Sequence, residues 1–449
     1  MKLRGLLISA LLLALLGGAV WWSNKREKEK EGKPAADAPP KIVEIQEDQI
    51  QQVDVKKKEG ALTTVRRAAS GKWEIVSPKA LAADQDSVKS LASTFSSLSA
   101  DKLIEEKAAD LATYGLNTPS LEVVITKKDK KTQKLLLGDE TPTGSSIFAK
   151  LDGDPRVFTL ASYSKTSIDK TANDLRDKRL LTFDSDKLSR IELTAKGKTL
   201  EFGKNNKNEW TILRPGPYRA DNLQAEELLR RLKDAKMDTA VSEDDTKKFA
   251  SAFGSGTPVA SAKVSDAAGT QQLDLRKDKD KNYYAKSSVV EGIHKVTADL
   301  GDGLDKSVDD FRNKKLFDFG FNEPNKVDVK EGAKVFSFSK SGDKWNAGGK
   351  QMDSTGVQSL IDKLRDLASI KFLDLKPPDP FLELTVSSQD SKQVEKVLVS
   401  RQGNSHYARR ENEPAVYELD GKVVGEIQKA AADVKEFKPE QKKPDEKKK

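Results

Sequence analysis

A tryptophan, an aspartate and a helical stripe of apolar residues recur in that order three times along the 449-residue chain. This recurrence restricts the fold more than any other feature, because a repeated pattern demands a repeated structural unit. The tryptophans are Trp73, Trp210 and Trp345, and the aspartates Asp84, Asp221 and Asp353. Apolar residues follow each aspartate at steps of 4, 3, 4 and 3: Val88, Leu91, Phe95 and Leu98; Ala225, Leu228, Leu232 and Ala235; Val357, Leu360, Leu364 and Leu367. That spacing traces one face of a helix. Each aspartate stands where its carboxylate can accept the first free backbone N–H groups and cap that helix.

The correspondence continues downstream. Tyr114-Gly115-Leu116-Asn117-Thr118-Pro119 matches Phe253-Gly254-Ser255-Gly256-Thr257-Pro258, and in the third copy only Pro380 remains. An aromatic-Ala-base step follows at Phe148, Tyr284 and Tyr407. DKTANDLRDKRLLTF matches DKSVDDFRNKKLFDF, placing Arg176 and Arg312 in register, whereas the third copy has only QKAAADVKEF. The copies are placed at 41–184, 185–320 and 321–438, the third shortened. Each predicts a β-hairpin ending on the tryptophan strand, a capped amphipathic helix, a meander of three or four short strands and a closing helix. The expected class is α+β with mostly antiparallel sheets, helices covering one face of each.

The ends differ from the body. Lys2 and Arg4 precede an apolar run, Leu6–Trp22, just long enough to span a bilayer core, with Trp21 and Trp22 where an interfacial aromatic belt would lie. Residues 1–23 are expected to be a membrane anchor; the competing reading is a leader cleaved after Ala19. Residues 24–40, charged and then Pro/Ala-rich, read as a flexible stalk. Residues 439–449 read as a disordered basic tail. The net charge of +8 is concentrated at the two ends, +4 in 1–33 and +3 in 438–449, leaving +1 for the body. A nucleic-acid binder needs a basic face on its folded part, so no nucleic-acid partner is expected. Counted alone, the bases on either side of the run do not favour export. The layout of a short head and a large body does, and the body is expected outside the cytoplasmic (inner) membrane.

Chemistry is sparsely marked. The absence of cysteine removes disulfides, thiolate nucleophiles and cysteine metal sites, and two histidines, His294 and His406, are too few for a multi-histidine centre. The tryptophans could form carbohydrate platforms, but their alternating contexts, WEIV and WTIL, suit core anchors. The three aspartates are better explained as caps than as catalytic or calcium-binding groups. Arg176 and Arg312, near the end of a predicted helix, are expected to favour its dipole and to pair with Asp174 and Asp310. Gly254-Ser255-Gly256 lacks the lysine of a phosphate loop and reads as a turn. No catalytic, cofactor-binding or metal residue is assigned; the eight repeat markers are read as structural.

The WEI strand, the aspartate-capped helix, YGLNTP, LLLGDE, IFAK and LRDKRLLTFD together resemble the bacterial family catalogued as domain of unknown function 4340. The resemblance implies a single-span, extracytoplasmic accessory protein of a kind often encoded beside ABC-type transporter subunits, and supplies no catalytic residues. The leading expectation is a non-enzymatic, membrane-tethered accessory or scaffold protein without a cofactor, serving an ABC-type transporter or a gliding-type envelope complex, its expected partners being the cytoplasmic membrane and ABC-type transporter subunits. Its rivals are a cell-wall or carbohydrate-binding protein using aromatics such as Tyr283 and Tyr284, and an envelope hydrolase using carboxylates.

Overall fold

The computed structural model describes residues 41–238, 245–389 and 391–438. They contain three antiparallel sheets of nine, eight and nine strands, in two compact units that divide between Lys178 and Arg179.

In the first unit, strands Ile50–Lys57, Thr63–Arg67, Trp73–Ser77 and Leu81–Ala82 form one meander, and Leu121–Lys127, Thr132–Glu140, Ser146–Leu151 and Val157–Ala161 form a second. The first strands of the two meanders pair, Val53 opposite Ile125 and Val55 opposite Val123. The joined sheet buries Val53, Val55, Val65, Trp73 and Ile75 together with Val88, Leu91 and Phe95 of helix α1 (Gln85–Ser96). Two short helices, α2 (Ser162–Ile168) and α3 (Ala172–Leu175), close the unit.

The second unit contains the other two sheets. The eight-stranded one repeats the plan with α4 (Asn222–Lys233), α5 (Thr246–Ser255), α6 (Ala298–Leu304) and α7 (Val308–Phe311). The last sheet has α8 (Ser354–Arg365) and a single closing helix, α9 (Gly421–Asp433). All twelve stripe residues predicted from the sequence are buried.

The connector between the capped helix and the second meander differs most between copies. In the first it contains a 3-10 turn, Ala112–Tyr114, whose Tyr114 ring sits edge-on to Phe148 at 4.9 Å on the sheet's other face. In the second, α5 places Phe249 5.5 Å from Tyr284 in the same role. The expectation that helices cover only one face is therefore corrected: in these two copies the connector covers part of the opposite face. Gly254 and Ser255, read as a turn, end α5 instead. Gly115 has φ 66°, and a Cβ on Gly138 would stand 2.0 Å from the Tyr114 carbonyl oxygen. The YGL and LLLGDE motifs are thus two sides of one close backbone contact.

The copy boundaries also shift. Leu180 and Leu181 are buried in the second core, and Leu316, Phe317 and Phe319 in the third. RLLTF and KLFDF therefore open the next copy rather than end the previous one, and the counterpart in the first copy is KIVEI, whose Ile42, Val43 and Ile45 are buried in the first core. The copies run 41–178, 179–314 and 315–438. Leu180→Ala should cost a fragment of residues 179–438 about 2–5 kcal/mol in urea denaturation, while the same change in residues 41–184 should leave stability unaltered.

Candidate functional site

The predicted markers meet in one knot per copy. Asp84 Oδ1 accepts from the Ser87 N–H at 2.7 Å, Asp221 from Leu223 and Gln224, and Asp353 from Thr355 and Gly356. The same three aspartates donate their backbone N–H to the closing segment: Asp84 to Leu175 O at 2.8 Å, Asp221 to Phe311 O at 2.7 Å, Asp353 to Lys435 O at 2.8 Å. Two residues on from each acceptor, the closing segment donates back, Asp177 to Ala82 O, Asn313 to Arg219 O and Phe437 to Gln351 O. Arg176 and Arg312 occupy this bridge, and Glu436 stands there in the third copy. The arginine motif is absent from the third copy, yet its backbone closure is retained.

Each tryptophan is only 5% exposed. The residue opposite it on the neighbouring strand is a base in every copy: Arg67, Lys204 and Lys340. Arg67 lies 4.4 Å from the Trp73 ring centroid and Lys204 4.9 Å from that of Trp210. Lys340 instead pairs with Glu323. Gln85 and Asn222 accept the backbone N–H of Trp73 and Trp210, tying the first helical turn to the strand. The base precedes its tryptophan by five or six residues, a signal present in the sequence but overlooked. Tyr283 and Tyr284, expected to be exposed, are 3% and 7% exposed. None of these five aromatics offers the open face that a sugar platform needs.

Arg312 departs from expectation. Asp310 accepts from the backbone N–H and hydroxyl of the N-cap Ser307, and Asp174 from those of the N-cap Thr171, each closing a capping box. The Arg312 guanidinium is instead sandwiched between Tyr218 at 4.2 Å and Phe372 at 3.6 Å, rings from adjacent copies, with Asp309 3.6 Å away. His294 lies on strand Ile293–Val296, its Nε2 3.0 Å from Glu291 O, and His406 on Ser405–Arg410 beside Phe381.

The densest polar cluster, missed from the sequence, joins the second and third copies. Arg219 donates to both Asp318 oxygens at 2.7 and 2.6 Å and pairs with Glu413 at 2.8 Å. Arg410 binds Asp318, Glu413 and Glu395 at 2.9, 2.8 and 3.3 Å. Tyr417 donates to Glu413, and the Asp318 N–H to Glu395. Ninety-nine residues separate Arg219 from Asp318, so no local pattern announces the pair. Burial opposes the Arg219 charge, but Asp318, Tyr417 and Glu413 outweigh it and raise its pKa. Three carboxylates face two guanidiniums, leaving one negative charge in excess. Burial pushes the Glu395 pKa up, offset in part by the Asp318 N–H and Arg410, which favours neutralising that excess. Every group here is engaged by another, an arrangement suited to a lock between copies.

A second feature is an open trough of about 960 Å³ along the outer face of α8, lined by Trp345 and by five acids against two lysines. Among the described residues, no group of three or more His, Asp or Glu side chains is placed to hold a metal ion.

A family model described as a domain of unknown function (DUF4340) matches residues 73–212 and again residues 210–385. The chain belongs to this family. Both matches begin at a repeat tryptophan; the first ends just past Trp210 and the second runs on past Trp345 to residue 385, so both cross the structural boundaries. No curated protein and no solved structure matches the chain.

Arg219→Met should destabilise residues 179–438 by about 3 kcal/mol, because Asp318 and Glu413 lose their shared partner. The raised Glu395 pKa sets a sign. Between the ordinary carboxylate value and the folded value the native state holds the extra proton, so this group's contribution falls as pH rises through that window. The stability advantage of the natural protein over Glu395→Gln should grow as pH is lowered from neutrality toward the ordinary glutamate value, measured by urea denaturation.

Proposed function

We propose that this protein is a non-enzymatic accessory or scaffold, tethered to the cytoplasmic membrane by residues 6–22 with its three repeats on the extracytoplasmic side, serving an ABC-type transporter or envelope complex. The observation that carries this reading is that the repeated polar and aromatic residues are taken up by folding. The aspartates cap helices, the tryptophans are buried, and Arg312 is stacked between rings. A chain that repeats its architecture rather than a reactive constellation presents surface, and surface is what a scaffold uses. Among the described residues no helix is long and apolar enough to cross a membrane; the Leu6–Trp22 run lies outside them, and the tether rests on sequence alone.

Tethering raises local concentration near a membrane partner. The full chain, purified in detergent, should therefore retain an integral-membrane partner and lose it when Leu6–Trp22 is exchanged for a cleavable leader, while His406→Ala and Asp84→Asn retain it. Protease added to spheroplasts should digest the repeats. Protection of residues 41–438, or loss of cellular activity in an abundant, correctly localised single-carboxylate variant, would overturn the proposal.

A further inference from the structure

The trough along α8 carries more charge than the fold uses. Of its lining groups, Lys340 is paired with Glu323 and Lys363 with Glu426, and Asp362 is held by Arg365. Asp343 and Asp366 have no partner among the described residues and face the trough. Asp366 also lies at the C-terminal end of α8, where the helix dipole adds negative potential. Independently, Trp345 lines the same trough while 95% buried, and its indole N–H has no acceptor among the described residues. In the second copy the equivalent N–H donates to Glu226. At the corresponding place on α8 stands Gln358, which is turned instead to Asp362 at 2.9 Å. The site thus presents free carboxylates for a cation, with an unused donor for a carbonyl oxygen beside them. A lysine-bearing extended peptide supplies both groups.

The chain carries such a segment. Residues 438–449 hold six lysines and three acids, a net +3 against the −3 of the trough lining. The chain reaches this point beside the trough: the Phe437 N–H donates to Gln351 O at 2.9 Å, two residues before the cap of α8. The twelve residues of α8 extend about 18 Å, and eleven residues beyond Lys438 reach at most about 36–40 Å, enough to pass Asp366. Attachment at the mouth of the groove gives an effective concentration that exposed ion pairs alone would not need to supply.

We infer that the trough of the third repeat is the docking site of the chain's own lysine-rich segment 439–449, which follows Lys438 and lies outside the described residues. The inference does not depend on the membrane tether.

The natural absence of cysteine allows a single nitroxide to be placed at Gln441→Cys in the full chain. The ¹⁵N indole signal of Trp345, assigned by Trp345→Phe, should be broadened selectively over those of Trp73 and Trp210. Asp343→Asn/Asp366→Asn, or raising salt from about 0.02 to about 0.5 M, should reduce that broadening about fivefold or more. An unaffected Trp345 signal, equal broadening of all indoles, or broadening indifferent to the double variant would overturn the inference. So would broadening seen only when spin-labelled ¹⁴N chain is mixed with unlabelled ¹⁵N chain, which would assign the trough to a second copy.

Discussion

The backbone exchange around each capping aspartate is the constraint on which the rest of the repeat depends. One residue ends the strand that follows the tryptophan, opens the central helix and receives the closing segment. Its carboxylate satisfies N–H groups that the first helical turn cannot pair internally, and its own N–H is taken by a carbonyl about ninety residues away in the first two copies. Once these bonds form, the apolar stripe of the helix faces the sheet in a single register. Phe95, Leu232 and Leu364 are then buried to 0% exposure, each worth on the order of 2 kcal/mol relative to an exposed position.

Much of this was legible in the sequence because its signals are local. A cap and a helical period lie within fifteen residues of each other, and alternating strands announce themselves over five to nine. The phase of the repeat was also present, in KIVEI, RLLTF and KLFDF. It was obscured because the latter two directly follow LRDK and FRNK and were read with them. Packing decides their membership, since Leu180 and Leu316 turn into the core that follows. The Arg219–Asp318–Arg410 lock had no such local trace. Its members come from strands and turns scattered over nearly two hundred residues, and only the fold unites them.

The third copy shows what the unit can lose. It lacks the YGL turn, the arginine of the closing motif and the cation over its tryptophan, yet keeps the sheet, the capped helix and the backbone closure. Side chains that decorate the knot can drift while the hydrogen-bonded path is preserved. In this copy an open trough lies along α8, and the Trp345 indole N–H that lines it has no acceptor among the described residues.

Amide hydrogen exchange at Asp84, Asp221 and Asp353 tests the central role of the knot most directly. If the closure holds each repeat together, these three amides exchange only through global unfolding of their unit, as slowly as the central strands. Rapid exchange at any of them, while the adjoining strands stay protected, would show that the repeat is held by its sheet alone.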